Sequence, residues 1–153
     1  MKLSEALMMR SDIQKRVEQL RERLKVSVQV QDGAVPPEKP QALLLESERL
    51  LGQLSNLICR INRTNLSTNV NSEMTLTDAL AQRDVLALRI SMMKAVAEAA
   101  SGRVLQYSRS GVRSVPTIDI ASIRRQIDHL SKQYRELDTD IQRSNWMTDL
   151  IEI

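Results

Sequence analysis

The sequence predicts a mainly all-α protein, a four-helix antiparallel bundle with coiled-coil-like seams, on the basis of two observations. Apolar residues recur at alternating spacings of three and four along several long segments, which is the periodicity of helices that pack along one stripe. Aromatic residues are scarce, with no Phe, one Trp and two Tyr, so that Leu, Ile, Val, Met and Ala have to build the core. A chain of 153 residues fits one domain, and we predict a single helical domain over residues 1–153.

The first helix is predicted over residues 4–25, with Ser4 as its N-cap. Its apolar stripe is narrow and follows a heptad seam that Arg10 interrupts. The seam consists of positions 3, 6, 10, 13, 17, 20 and 24. The Asp32-Gly33 turn signal and the prolines that follow predict a stiff connector after this helix.

The second helix is predicted over residues 40–65 and has a wide apolar face. Leu43, Leu50 and Leu57 form one stripe, and neighbouring stripes extend the face beyond what one partner helix covers. Cys59 lies on a flank of small residues, where we expect a buried and inert thiol.

The third helix is predicted over residues 76–101, and Thr75 with Asp78 has the spacing of a capping box at its start. Apolar residues cover most of its circumference, and only the stripe through Asp84 and its heptad equivalents is consistently polar. A helix that is apolar on nearly every side is expected at the centre of a bundle.

Residues 103–118 follow Gly102 and are predicted to be irregular, with a short β-hairpin as the alternative. Asp119 is expected to cap a fourth helix over residues 119–145, which carries the most regular heptad of the chain. The tail, residues 146–153, offers further apolar surface to another subunit.

The composition excludes several classes of function. One cysteine rules out a disulfide and a Cys-rich metal site, and one histidine rules out a multi-His site, so that we expect no metal and no cofactor. That histidine, His129, is predicted on the solvent side of the fourth helix. The absence of an evident signal peptide or membrane-spanning run makes the cytoplasm the expected location. A net charge of +3 is too small to indicate nucleic-acid binding by itself.

A polar clamp is predicted where the second and third helices meet at a hairpin end, and a ligand pocket is the alternative. The heptad register turns Thr64 and Asn65 toward the core, whereas Asn62 faces solvent. Arg83 is also aimed inward, with Asp84 beside it. Because buried polar groups need partners, we expect Thr64 or Asn65 to bond near Arg83 or Asp84.

A second candidate site is the arginine-bearing segment from residue 103 to residue 113. Arg103, Arg109 and Arg113 occur there without an acid, and Tyr107 lies among them. Arginine and tyrosine together can bind phosphate or stack on a base, so the segment is a candidate anion or nucleic-acid contact. The alternative is a solvated loop, or a loop that pairs with acidic residues of a neighbouring subunit.

Six motifs occur in the same order over nearly the whole chain: VQDG, PPEKP, INRTN, TLTDALAQRDVL, YSRSGVRSVPTIDI and RELDTDIQRSNWMTDL. Together they resemble a small bacterial family of unknown function that is sometimes labelled septicolysin. The resemblance implies no established activity and no catalytic residues. The label implies a large, secreted, mainly β pore-forming toxin with a Trp-rich tip, and a short helical chain with one Trp does not fit that mechanism.

The function expected from the sequence is that of a non-enzymatic homo-oligomer of structural or interaction type. The second and third helices carry more apolar surface than two narrow outer helices cover, and a further subunit would cover it. One alternative is RNA or DNA binding through the segment 103–113. Another is an enzyme whose site is assembled between subunits from residues such as Asn65, Arg83 and Asp84.

Overall fold

The computed structural model describes residues 1–102, 111–112 and 114–152. They contain four helices, which are α1 (Leu3–Ser27), α2 (Pro40–Ser67), α3 (Leu76–Ala100) and α4 (Ile120–Met147). The prediction of an all-α protein with four helices is confirmed, and every helix boundary lies within two residues of its predicted position.

The predicted hairpin falls largely on residues 103–110 and 113, which lie outside the described residues. The remaining residues of the segment, 111–112 and 114–118, form no strand.

The chain divides into two compact units. The first unit comprises Met1–Asn69 and Ser144–Ile153, and therefore holds α1, α2, the last turn of α4 and the C-terminal tail. The second unit, Val70–Arg143, holds α3 and most of α4. The single domain expected over the whole chain stays a prediction.

α1 starts earlier than the sequence indicates, because the tail supplies part of its cap. Lys2 is the N-cap, and its backbone N–H donates a 2.7 Å hydrogen bond to the Glu5 carboxylate. The N–H of Leu3, which has no partner within the helix, donates to the carbonyl of Thr148 at 2.9 Å. Ser4 lies inside the first turn, and its prediction as the N-cap is wrong.

The first unit is an antiparallel pair of helices with a continuous buried seam. All positions of the predicted α1 heptad are buried or half-buried. The buried apolar residues of α1 and α2 are Leu3, Ala6, Ile13, Leu20, Leu43, Leu50, Leu57 and Ile61. They extend over most of both helices, so that each helix covers the apolar stripe of the other.

Two ion pairs connect the antiparallel helices α1 and α2. Arg16 lies 3.6 Å from Glu46, and Arg23 near the end of α1 forms a bidentate pair with Glu38 just before α2. The hydrogen bonds and positive charge of Arg23 hold the pKa of Glu38 below its usual range. Both pairs are solvent-exposed. The Arg23–Glu38 pair joins the two ends of the connector between the helices.

The second unit is also an antiparallel pair, but its buried core is small. Thr75 and Asp78 form the predicted capping box of α3, with reciprocal 3.2 Å hydrogen bonds to backbone N–H groups. Asp119 caps α4 as predicted, by accepting hydrogen bonds of 3.1 and 3.3 Å from the first turn. The α4 heptad is half-buried along most of its length, and the fully buried apolar residues of the unit are Leu76, Ala79, Ala97 and Ile141.

Candidate functional site

Thr64 of α2 anchors the C-terminal tail within the first unit. Its hydroxyl donates a 2.8 Å hydrogen bond to the Arg60 carbonyl and accepts a 3.0 Å hydrogen bond from the N–H of Ile151. Arg60 Nε in turn donates to the Ile151 carbonyl at 2.9 Å. Thr64 is buried, Asn65 half-buried and Asn62 exposed, as the heptad register predicts. The polar end of α2 therefore serves to dock the chain's own tail.

An exposed ion pair ties the tail to the start of α1. Lys2 Nζ lies 2.9 Å from Asp149 Oδ1, and the hydrogen bond and positive charge of Lys2 lower the pKa of Asp149. Leu150 is buried in the same unit, whereas Trp146 and Met147 remain exposed. The tail that was expected to offer surface to another subunit thus uses Leu150 within its own chain and leaves its other described apolar side chains exposed.

Arg83 of α3 is held by α4 in the second unit. Its Nη1 donates a 2.8 Å hydrogen bond to Asp138 Oδ1, and both side chains are partly buried. Asp84, the neighbour of Arg83 in the sequence, lies 3.8 Å from Arg83 Nε and is largely exposed. The inward orientation of Arg83 agrees with the register, and its partner is the Asp138 carboxylate of α4.

Thr64 and Arg83, which were predicted to lie near each other in a clamp, belong to different units and each has partners in its own unit. The Thr64 hydroxyl bonds to Arg60 and Ile151, and Arg83 bonds to Asp138. A joint clamp or pocket that includes Asn65 and Asp84 stays a prediction. The candidate anion contact through Arg103, Tyr107, Arg109 and Arg113 lies outside the described residues.

Two shallow grooves run along the sides of the α3–α4 pair. One, of about 580 Å³, has Met93 and Leu130 among its apolar lining, with Arg89, Arg125 and His129 also contributing. The other, of about 650 Å³, lies along Lys94, Glu98 and Tyr134. Ser122 also lines the first groove, but among the described residues no hydrogen bond joins it to His129. This pair therefore does not form the nucleophile with an adjacent base that acyl or phosphoryl transfer by a side chain requires.

The single thiol and the single imidazole occupy surface positions. Cys59 is exposed, so the prediction of a buried thiol is wrong, because this flank of α2 faces solvent. His129 is exposed as predicted, and its Nε2 lies 3.2 Å from Gln133 Nε2. Within the described residues, no group of three or more His, Cys, Asp and Glu side chains could hold a metal ion.

α3 has two apolar stripes on opposite sides. The inner seam is buried or half-buried and consists of Ala79, Arg83, Leu86, Ile90, Met93, Ala97 and Ala100. The outer stripe is exposed and consists of Ala81, Val85, Leu88, Met92, Ala95 and Ala99. Residues two positions apart on a helix differ by about 200°, so a residue such as Leu88 points away from Leu86 and from α4.

The prediction that α3 is covered on nearly all sides is wrong for the isolated chain. Leu88 is 71% exposed, Met92 61% and Val85 52%, since α4 covers only the inner seam. The sequence contains the signal for this arrangement, because the outer stripe has its own alternating spacing of four and three. The overall apolar composition of α3 predicts a packed helix and does not distinguish the two heptads.

These features define a small helical protein of two helix pairs, with exposed apolar side chains along the outer stripe of α3. The chain belongs to a family of unknown function, DUF6847, which matches residues 10–150. The predicted resemblance to a family of unknown function is thereby confirmed. A comparison with curated proteins gave no match.

A solved structure has the same fold over the whole chain. It is the crystal structure of a functionally unknown conserved protein from Corynebacterium diphtheriae, which is 41% identical, with 99% of each chain covered and a TM-score of 0.93. Neither this description nor that of the family uses the septicolysin label. Among the described residues, no helix is both long enough and apolar enough to cross a membrane.

Proposed function

We propose that this protein is a non-enzymatic, homo-oligomeric helical protein of structural or interaction type, and that the outer stripe of α3 contacts a second copy. The observation that carries the proposal is the exposure of Val85, Leu88 and Met92 on one face of a helix whose other face is already packed. The alanines of the stripe continue this face at both ends and leave room for close approach of another helix.

The outer stripe differs from ordinary surface apolar residues because its members are contiguous. Single exposed leucines are common on soluble proteins, whereas contiguous apolar patches mark interaction surfaces. Full burial of one such side chain is favourable by about 1.5–3 kcal/mol relative to leaving it exposed. A partner that covers the three large side chains of the stripe would therefore gain enough to offset part of the entropic cost of association.

A second copy is preferred as the occupant because the stripe has the heptad spacing with which helices pack on helices. A two-fold arrangement brings the same patch of both copies together, so each copy covers the other's stripe. Catalysis has less support, since among the described residues no hydrogen bond joins a serine hydroxyl of the two grooves to His129 or to a carboxylate.

The test is the molar mass in solution, measured by size-exclusion chromatography with light scattering over a range of micromolar concentrations. The wild-type chain is expected to elute as an oligomer, and Leu88→Lys is expected to elute as a monomer, because it places a charge in the contact. Leu45→Lys on α2 is the matched control, since Leu45 is 75% exposed and lies outside the outer stripe. A monomeric wild type, or equal loss of mass in both variants, would contradict the proposal.

A cytoplasmic location is part of this proposal, since an exposed free thiol is compatible with a reducing compartment. RNA or DNA binding through Arg103, Arg109 and Arg113 stays a prediction that no described contact favours. Filter binding across a salt series, with these arginines changed to alanine, tests it separately.

A further inference from the structure

We propose that two copies pair α3 with α3 in parallel, so that Asp84 of each copy lies beside Arg89 of the other. This inference rests on the proposed function, because it specifies the geometry of the same contact. It concerns direction and register, which the apolar stripe alone does not determine.

The residues at the centre of the outer stripe favour a parallel pair. In heptad terms Val85 occupies an a position and Leu88 a d position. A β-branched residue at a with leucine at d is the combination that favours two parallel strands. Met92 follows at the next a position, and alanines at the outer core positions permit the helices to approach closely there.

The charges on the two flanks of the outer stripe also favour a parallel pair. One flank carries Asp84, Ser91 and Glu98, and the other carries Gln82, Arg89 and Val96. In a parallel pair the flank with Asp84 on one copy faces the flank with Arg89 on the other copy. Each residue on the Asp84 flank then lies beside the partner residue whose number is five higher. Asp84 then lies beside Arg89 of the partner copy, and two-fold symmetry forms this pair twice.

An antiparallel pair would bring like charges together. The flank with Asp84 would then face the Asp84 flank of the partner, and the flank with Arg89 would face the Arg89 flank. The two stripes overlap fully when their midpoints, between Leu88 and Met92, lie side by side. This arrangement places Arg89 beside Arg89 of the partner and Asp84 beside Glu98 of the partner. Charge complementarity therefore selects the parallel direction, as charged flanking residues do in coiled coils.

Both charged groups are available for such a contact. Arg89 is exposed and forms no ion pair with any described residue. Asp84 is exposed, and its neighbour Arg83 at 3.8 Å is already bound to Asp138 at 2.8 Å. The pairing of Asp84 with a partner's arginine would therefore require no existing close hydrogen bond to break.

The length of the outer stripe indicates the protein concentration at which the two copies should associate. The outer stripe spans 81–99 and therefore extends about 27 Å along the helix. A contact along a single helix is smaller than the 1,200–2,000 Å² that stable protein interfaces bury, so we expect association in about the micromolar range. Exposed ion pairs contribute little affinity, and their expected effect is on direction.

Disulfide cross-linking at one end of the stripe tests the direction. In a Cys59→Ser background, Ala81→Cys is expected to form a covalent dimer under mild oxidation, because a parallel pair juxtaposes the two copies of position 81. Ala87→Cys is the matched control, since Ala87 is also an exposed alanine of α3 but lies outside the stripe. It is expected to cross-link no faster than collisions in solution allow.

The same experiment distinguishes failure of the direction from failure of the proposed function. If Ala81→Cys gives no dimer but a mixture of Ala81→Cys and Ala99→Cys gives a mixed dimer, the pair is antiparallel. This inference is then wrong, and self-association stands. If neither cross-links and the wild type is monomeric by light scattering, both are wrong.

A charge reversal gives an independent readout with opposite signs for the two directions. Asp84→Arg in a parallel pair faces Arg89 of the partner, and the dissociation constant is expected to rise about fivefold. In an antiparallel pair the same variant faces Glu98 of the partner and would lower the dissociation constant. Adding Arg89→Asp to Asp84→Arg is expected to restore wild-type association, and failure to restore it would overturn the proposed register.

Discussion

The two units of this protein use apolar side chains in different ways. In the first unit α1 and α2 bury one seam against each other, and the tail covers the polar end of α2. In the second unit α4 covers only the inner seam of α3 and leaves the outer stripe exposed. Both units are antiparallel helix pairs, so the difference arises from the sequence of α3 and not from the topology.

The outward face of α2 shows why exposure of leucine alone is a weak indicator. Leu45 and Leu66 are exposed there, but Glu48, Ser55 and Asn62 lie between them on the same face. On α3 every position of the outer stripe is apolar. A continuous stripe indicates a helix-packing surface, whereas isolated leucines between polar residues do not.

The largest expected effect is on the free energy of unfolding, when a leucine of the buried α1–α2 seam is truncated and compared with a leucine of the outer stripe of α3. Leu50 is 1% exposed, and Leu50→Ala is expected to lower the free energy of unfolding by about 2–5 kcal/mol because it leaves a cavity. Leu88→Ala is expected to change the free energy of unfolding by less than about 0.5 kcal/mol when the protein is dilute enough to be monomeric. Urea denaturation of dilute protein measures both, and similar losses for the two variants would show that α3 is covered within the monomer.

A smaller effect is expected at the anchor of the tail. Thr64→Val keeps the shape of a buried side chain but removes a hydroxyl that makes two hydrogen bonds, so the expected loss is about 1–3 kcal/mol. Amide exchange at Ile151 should accelerate, because its N–H loses its acceptor. Thr139→Val is the matched control, since the Thr139 hydroxyl also donates to the carbonyl four residues earlier but is exposed. Unchanged exchange at Ile151 would contradict the role of Thr64.

The features that local sequence determines were predictable. The capping box of Thr75 and Asp78 and the cap at Asp119 depend on residues three or fewer positions apart, and both form as expected. The heptads of α1 and α4 are also confirmed, because a narrow stripe on a polar helix has only one way to be buried.

The features that depend on distant segments were not predictable. The start of α1 is displaced from Ser4 because Thr148, at the other end of the chain, accepts the hydrogen bond of Leu3. Arg83 donates a hydrogen bond to Asp138 of α4. The heptad register of α3 shows that Arg83 points inward and needs a partner, but it does not identify that partner. The apolar character of α3 likewise predicts a helix packed on most sides and does not say that α4 covers only its inner seam.

The smallest expected effect concerns the ion pair that ties the tail to α1. The hydrogen bond and charge of Lys2 lower the pKa of Asp149 in the folded protein, so the pair favours folding most above the unfolded-state pKa of about 3.9. This contribution is lost as the pH falls from that value through the folded-state pKa. It is small and sensitive to salt, since both side chains are substantially exposed.

Lys2→Met should return the pKa of Asp149 to its usual range, which a carboxyl NMR titration measures directly. The pKa of Glu38, which Arg23 lowers in the same unit, provides the control and should not change. The tail should remain docked above pH 5, because Thr64 and Arg60 still bind Ile151. Association through α3 should also be unaffected. If Lys2→Met caused loss both of amide-exchange protection in the tail and of the oligomer, the tail and the outer stripe would act together. The two units would then not use their apolar side chains independently.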